Sequence, residues 1–258
     1  MSDFLDTLAM DATKTIDSGY YQTAVSTKQP KISLKQAILE CKANHVITEI
    51  KASSPSLGTI RNQVNPKEIA QAMEKGGAVG ISVITEPKHF HGSLIALIQA
   101  REVTKLPILM KDIIIVADQI EVAAQIGADA VLLIEALFDK GCCELSVEKT
   151  ISFAHSKGLE VLLETHTEEE FRSAVETNAD LVGINNRNLG TLKIDLNTTK
   201  EILKRNNTRG KVVVSESGIK TVADLQFLRG CGASAFLICS AIMLTENIEE
   251  KVKEFVKA

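Results

Sequence analysis

The chain has 258 residues, 45% of them hydrophobic and 24% charged, with a formal net charge of -4 and a pI near 5.8. That is enough apolar material for a large core. It leaves too little clustered positive charge for a nucleic-acid surface, whose affinity needs Lys and Arg to displace counterions. Five cysteines, Cys41, Cys142, Cys143, Cys231 and Cys239, make an odd number without C-x-x-C spacing. They argue against a disulfide framework or a zinc knuckle and fit a reducing cytoplasm.

Met1 to Met10 carries Asp3 and Asp6 with neither a basic nor an apolar leader region, so no secretory signal is expected. No uncharged apolar run approaches the roughly 18 residues that a bilayer span needs. Ser2 to about Ile16 places Phe4, Leu5, Leu8, Ala12 and Ile16 at helical spacing. This predicts an amphipathic helix that either caps one end of the fold or lies on its surface. Eight apolar runs rich in Val, Ile and Leu follow, each bounded by turn residues and succeeded by a helical pattern. They are His45 to Lys51, Val79 to Thr85, Pro107 to Asp112, Ala130 to Ile134, Glu160 to Thr165, Leu181 to Asn186, Val212 to Ser217 and Ala235 to Ser240.

Between them, Asn65-Pro66-Lys67-Glu68 supplies an N-cap, a proline at the first helical position and a Glu at the capping-box position; Thr167 to Glu170 and Thr221 to Asp224 follow the same logic. Gly76-Gly77, Gly127 and Gly158 fall where helices should stop. Eight strand-helix units predict an α/β fold, a (β/α)₈ barrel in one domain over residues 1–258, with a helical extension over 1–40. An open doubly wound sheet is the competing architecture, because alternation alone does not show closure.

The functional signal lies in the residues that end these strands. The first run reads Val46-Ile47-Thr48-Glu49-Ile50-Lys51, which puts Glu49 and Lys51 on one face. Others end in Lys111-Asp112, Glu164, Asn185-Asn186 and Ser215-Glu216-Ser217. Taken singly, a strand-end Lys or Glu is more often a solvated rim residue or half of an ion pair. Five strands contributing to the C-terminal rim, where barrel enzymes hold their chemistry, point instead to an active site. Lysines and glutamates crowded into one mouth perturb one another's pKa values, as acid-base catalysis requires.

The loop Ser217-Gly218-Ile219 after the seventh run and the short helix starting at Ser240-Ala241-Ile242-Met243 after the eighth predict a phosphate cradle of backbone N–H groups. His89 and His91 flank Phe90 without a third ligand at matching spacing, and His45 and His166 border strands, so no metal is expected. Phe90 is a candidate aromatic wall for a substrate ring.

These motifs resemble the indole-3-glycerol phosphate synthase family over nearly the whole chain. The resemblance is carried by Glu49-Ile50-Lys51 with Ser53-Ser54-Pro55-Ser56, and by Ser82 to Pro87 leading to Phe90 and Gly92-Ser93. It continues through Lys111-Asp112, Gly127-Ala128-Asp129-Ala130, Gly183-Ile184-Asn185-Asn186-Arg187 and Ser215-Glu216-Ser217-Gly218-Ile219.

It implies closure of 1-(2-carboxyphenylamino)-1-deoxyribulose 5-phosphate to indole-3-glycerol phosphate with loss of carbon dioxide and water, a carboxy-lyase reaction of tryptophan biosynthesis without a cofactor. By that resemblance Lys111 is the general acid, Glu164 transfers a proton during dehydration, and Lys51 meets anionic groups and serves as a second acid. Glu49 orients the lysines, and Asn185 and Glu216 hold substrate hydroxyls and the amine. Arg187 and Ser54 assist with the anionic groups, while Ser217, Gly218, Cys239 and Ser240 form the phosphate loop. The implied partner is a phosphorylated small molecule, with no nucleic acid or membrane, and transient contact with other tryptophan-pathway enzymes is compatible with the resemblance.

Two positions depart from the family pattern: Cys239 stands where a glycine is usual, and Ile113 where a phenylalanine often follows the Lys-Asp pair. A side chain at 239 is expected to crowd the phosphate if only backbone fits there. An isomerase acting on a phosphoribosyl-anthranilate-type substrate would want a Cys or Asp where Glu49, Lys51 and Asn185 stand. A barrel retained only as a binding partner would not need its acid-base residues.

Overall fold

The computed structural model describes residues 4–22, 30–54, 58–60 and 64–258. Two helices come first, α1 (Phe4–Asp17) and α2 (Leu34–Glu40). Strands and helices then alternate: β1 (Val46–Ile50), α3 (Pro66–Lys75), β2 (Gly80–Ile84), α4 (Leu94–Arg101), β3 (Ile108–Lys111), α5 (Ala117–Gln125), β4 (Ala130–Ile134). Two helices, α6 (Glu135–Asp139) and α7 (Val147–Ser156), precede β5 (Glu160–Thr165). The chain ends α8 (Glu168–Glu176), β6 (Leu181–Asn185), α9 (Asn197–Arg205), β7 (Val212–Glu216), α10 (Val222–Gly230), β8 (Ala235–Ile238), α11 (Ser240–Met243) and α12 (Ile248–Val256). Ser53–Ser54 and Gly58–Thr59 form a small antiparallel hairpin after β1.

The eight strands are all parallel and close on themselves, β8 pairing with β1 through Phe236 and Val46. The open-sheet alternative is thereby ruled out, and the predicted (β/α)₈ barrel stands. Predicted helix signals act as expected. Asn65 accepts from the Lys67 and Glu68 amides with Pro66 in the first turn, and Thr221 and Asp224 form a reciprocal capping box. At Thr167 the side chain caps the Glu170 amide, but the Glu170 carboxylate turns back to the His166 N–H at 2.7 Å. Gly127 and Gly158 take φ of +95° and +74° at helix ends, a region that favours glycine.

Strand alternation builds two cores. One set of strand residues, including Val46, Ile81, Met110, Val131, Leu163, Ile184 and Val213, faces outward and packs under the helices. The other set, including Ile47, Leu109, Leu132, Leu162, Leu181, Val214 and Leu237, fills the barrel. The inward parity of Ile47 continues to Glu49 and Lys51, that of Leu109 to Lys111, of Leu162 to Glu164, and of Val214 to Glu216. The barrel interior thus changes from aliphatic to ionic along its own strands.

The two ends are closed differently. Phe4 and Leu8 of α1 reach the pocket at the mouth, and Asp11 ties the helix to the loop after β2 through Lys88 at 2.6 Å and His89 at 2.9 Å. At the opposite rim, Asp129 accepts from Arg101, the Ile108 amide and the Ile32 amide, all within 2.8 Å. Arg101 also donates to the Thr104 and Leu106 carbonyls, and both charged side chains are 2% exposed. This buried pair, in which Arg101 Nε alone lacks a partner among the described residues, cross-links α4, β3, the turn into β4 and the segment before α2. No helix among the described residues is long and apolar enough to cross a membrane.

Candidate active site

Lys111, the last residue of β3, sits amid three carboxylates. Its Nζ is 2.7 Å from Glu216 Oε2 of β7, 3.6 Å from Glu164 Oε2 of β5 and 3.7 Å from Glu49 Oε2 of β1. Glu49 Oε1 in turn lies 3.4 Å from Lys51 Nζ, and Ser82 of β2 donates to its Oε2 at 3.3 Å. The alternate strands β1, β3, β5 and β7 bring Lys111 and the three carboxylates together because each contributes one of them from an inward position at its C-terminal end.

Burial and charge act against each other here. Burial alone would push the Lys111 ammonium down, but the three carboxylates outweigh it and hold the amine above its ordinary value. Burial lifts Glu216 up to about 7, with repulsion from Glu164 adding and Lys111 opposing. Glu164 is buried as deeply, yet Lys111 and His166 bring it down to about 2. Lys51 and Lys111 likewise overcome burial at Glu49 and lower it. Two neighbouring carboxylates are thus driven apart, one held ionised and the other close to its midpoint at neutral pH.

Above the cluster opens a pocket. Of the residues expected at the site, Lys51, Phe90, Lys111, Glu164, Asn185, Arg187 and Ser217 line it. Glu49 and Glu216 lie beneath the floor, with side chains 2% and 0% exposed. The opposite wall is apolar, made by Phe4, Leu8, Ile113, Ile134, Leu189 and Leu192. Ile113 supplies an aliphatic surface at the position where a phenylalanine was noted as common. Phe90 stacks near Lys51, whose Nζ is 5.4 Å from the ring centre.

The expected phosphate loop is only partly on the pocket wall. Ser217 and Gly218 adopt φ of +65° and +86°, and a β-carbon at Gly218 would overlap Ile194. Ser240 begins α11 as expected. The thiol of Cys239 interacts with the Glu49 carboxylate, so the side chain expected to crowd a phosphate is directed at the ionic cluster. Burial and the Glu49 charge push that thiol up, away from thiolate. Ser54 pairs through its backbone with Gly58, and its side chain, like Pro55 and Ser56, lies outside the described positions. Among the described residues no group of three His, Cys, Asp or Glu is arranged to hold a metal ion.

The profile of the indole-3-glycerol phosphate synthase family matches residues 7–255. The chain belongs to that family. It is 46% identical over 233 residues to the indole-3-glycerol phosphate synthase of Methanocaldococcus jannaschii, covering 89% of this chain and 85% of the relative. The indole-3-glycerol phosphate synthase of Pyrococcus furiosus is 41% identical over 87% of this chain and 97% of its own. Among solved structures, a thiamine phosphate pyrophosphorylase from Pyrococcus furiosus superposes with a TM-score of 0.61 at 16% identity. The match covers 86% of this chain and 96% of that one, a likeness of fold alone.

Two residues of this indole-3-glycerol phosphate synthase family member escaped the sequence reading. Glu86 gathers the Lys88, His89 and Phe90 amides at 2.9, 2.7 and 2.9 Å, and so fixes the loop that presents Phe90. Its signal was an acidic residue directly before a proline-initiated turn. His166, read only as bordering a strand, touches Glu164. Its inward parity, two residues after Glu164, was the available clue.

Proposed function

We propose that this chain converts 1-(2-carboxyphenylamino)-1-deoxyribulose 5-phosphate to indole-3-glycerol phosphate. The observation that carries this reading is the Lys111 ammonium, held among three carboxylates at the floor of a pocket with one apolar wall. The aromatic ring fits against Phe4, Leu8 and Ile134, while its carboxylate and the sugar phosphate are drawn to Lys51, Arg187 and the loop at Ser217.

Ring closure joins the carboxylate-bearing ring carbon to the sugar carbonyl carbon. Negative charge grows on the carbonyl oxygen, where Lys111 stabilises and protonates it. Loss of carbon dioxide returns the electron pair to the ring. The new hydroxyl then leaves as water with a proton from Lys51, while Glu164 takes up a proton from the substrate and aromaticity is restored. Glu216 contacts Lys111, and its midpoint near neutrality suits it to return the ammonium proton between turnovers. Asn185 holds a substrate hydroxyl, and Glu49 orients both lysines. The five free cysteines and the metabolic character of the reaction support a cytoplasmic setting.

The test is to incubate purified protein with the carboxyphenylamino-deoxyribulose phosphate and follow indole fluorescence. We expect a signal from the wild type that is lost in Glu164→Gln. Folded protein that binds the substrate without any fluorescence rise would overturn the catalytic reading.

A further inference from the structure

We propose that His166 is a positioning residue for Glu164, fixing which of its two oxygens meets the substrate. The proposal rests on the role given to Glu164 above. His166 follows β5 and is inserted between two carboxylates, with its side chain 8% exposed. Nε2 lies 3.2 Å from Glu164 Oε1, and Nδ1 lies 3.4 Å from Glu170 Oε2. The same Glu170 oxygen accepts the His166 backbone N–H at 2.7 Å, so ring and backbone are gripped together. Glu170 is itself fixed in the first turn of α8, where the Thr167 hydroxyl accepts its amide.

The two Glu164 oxygens consequently differ. Oε1 faces the imidazole, whereas Oε2 is buried, lies 3.6 Å from Lys111 Nζ and makes no hydrogen bond among the described residues. An unsatisfied buried carboxylate oxygen beside the pocket is costly unless a donor arrives, and the arriving donor is the substrate proton. Nε2 also has no better-placed acceptor than Oε1, so this contact can tighten when Glu164 is drawn to substrate. Without His166, the carboxylate could turn about its terminal bond and present either oxygen to Lys111.

The groups facing the ring are Glu164 from β5 and Glu170 from α8, and the Glu170 charge in turn helps to raise Glu135 of α6. Burial opposes the imidazolium, but the two glutamates hold it up to about 9. The charge His166 lends to Glu164 is therefore present at neutral pH and lost as pH rises through that value.

The experiment compares His166→Ala, His166→Gln and Glu170→Gln with the wild type, using steady-state fluorescence and thermal unfolding, with Glu164→Gln as the control. His166→Ala is expected to lower kcat about tenfold or more while KM moves less than about threefold, the split for an interaction felt in the transition state. His166→Gln, which keeps a donor without the charge, should recover part of kcat and lose the alkaline fall near pH 9. Glu170→Gln should lower kcat in the same direction by a smaller factor. Full kcat and an unchanged pH profile in folded His166→Ala would overturn the positioning role. If Glu164→Gln were also fully active, the Glu164 assignment itself would fail, which separates the two readings.

Discussion

Lys111 Nζ lies 2.7 Å from Glu216 Oε2, with the carboxylate wholly buried and the lysine side chain only 18% exposed. In the proposed reaction the lysine is the acid, and in the fold it is the countercharge for three buried carboxylates. Lys111→Ala should therefore fail twice. Turnover should fall by about 10²- to 10⁴-fold, the usual contribution of a positioned acid. Stability should fall by roughly 3 kcal/mol or more, because buried carboxylates lose their partner. Single-turnover fluorescence and urea unfolding measure the two effects separately.

Glu216 makes a pH-dependent prediction of opposite sign to an ordinary salt-bridged carboxylate. Its folded value, about 7, lies above the ordinary 4.5, so folding favours the protonated form. The stability this confers is complete below about pH 4.5 and disappears as pH rises through 7. Glu164, held at about 2, acts the other way, and its contribution is lost only as the pH falls from 4.5 toward that value. Glu216→Gln should consequently gain stability on the wild type between pH 4.5 and 8 while losing turnover. Denaturation midpoints at pH 5 and 8 decide it, and a constant difference between the two proteins would contradict the assignment.

Gly183 of β6 leaves room for the Glu216 carboxylate, since a β-carbon there would overlap Glu216 Oε1 and come within 3.4 Å of the Glu164 backbone. Gly183→Ala should cost about 1–3 kcal/mol of stability, as overpacked cores do. It should also lower kcat, because the displaced carboxylate can no longer stay against Lys111. A variant with wild-type kcat would show that Glu216 tolerates displacement.

Glu86 works at one remove, through the loop that carries Phe90. Glu86→Ala leaves three amides seeking water, at about 1 kcal/mol each. If about 1 kcal/mol of that loss appears in substrate binding, KM rises roughly fivefold with kcat little changed. Substrate titration of the purified variant tests this split.

Much of the barrel could be read from residue order. Val, Ile and Leu runs bounded by turn residues marked all eight strands, and the strand-end positions of Glu49, Lys111, Glu164 and Glu216 marked the mouth. The expected runs overshot where a strand hands over directly to a helix, as at Ala235 to Ser240, because the apolar pattern continues into α11. Helical spacing in the first residues of the chain defined an apolar face for α1 but not the surface it meets. That surface is set by Asp11 reaching Lys88 and His89, across a distance in sequence that no local pattern encodes. The direction of the Cys239 thiol was hidden for a similar reason: it depends on a carboxylate from the opposite end of the chain.

The Asp129–Arg101 knot fastens the barrel at the rim away from the chemistry, and none of its hydrogen bonds involves a mouth residue. The strands are thus held in register from below whatever they carry above. Exchanging the mouth glutamates and lysines for aliphatic side chains of matching volume would leave a ring that still closes, and closes more firmly, since buried ion clusters seldom outperform hydrocarbon. The reactive cluster is freight that the scaffold bears, and the same scaffold is free to bear a different one.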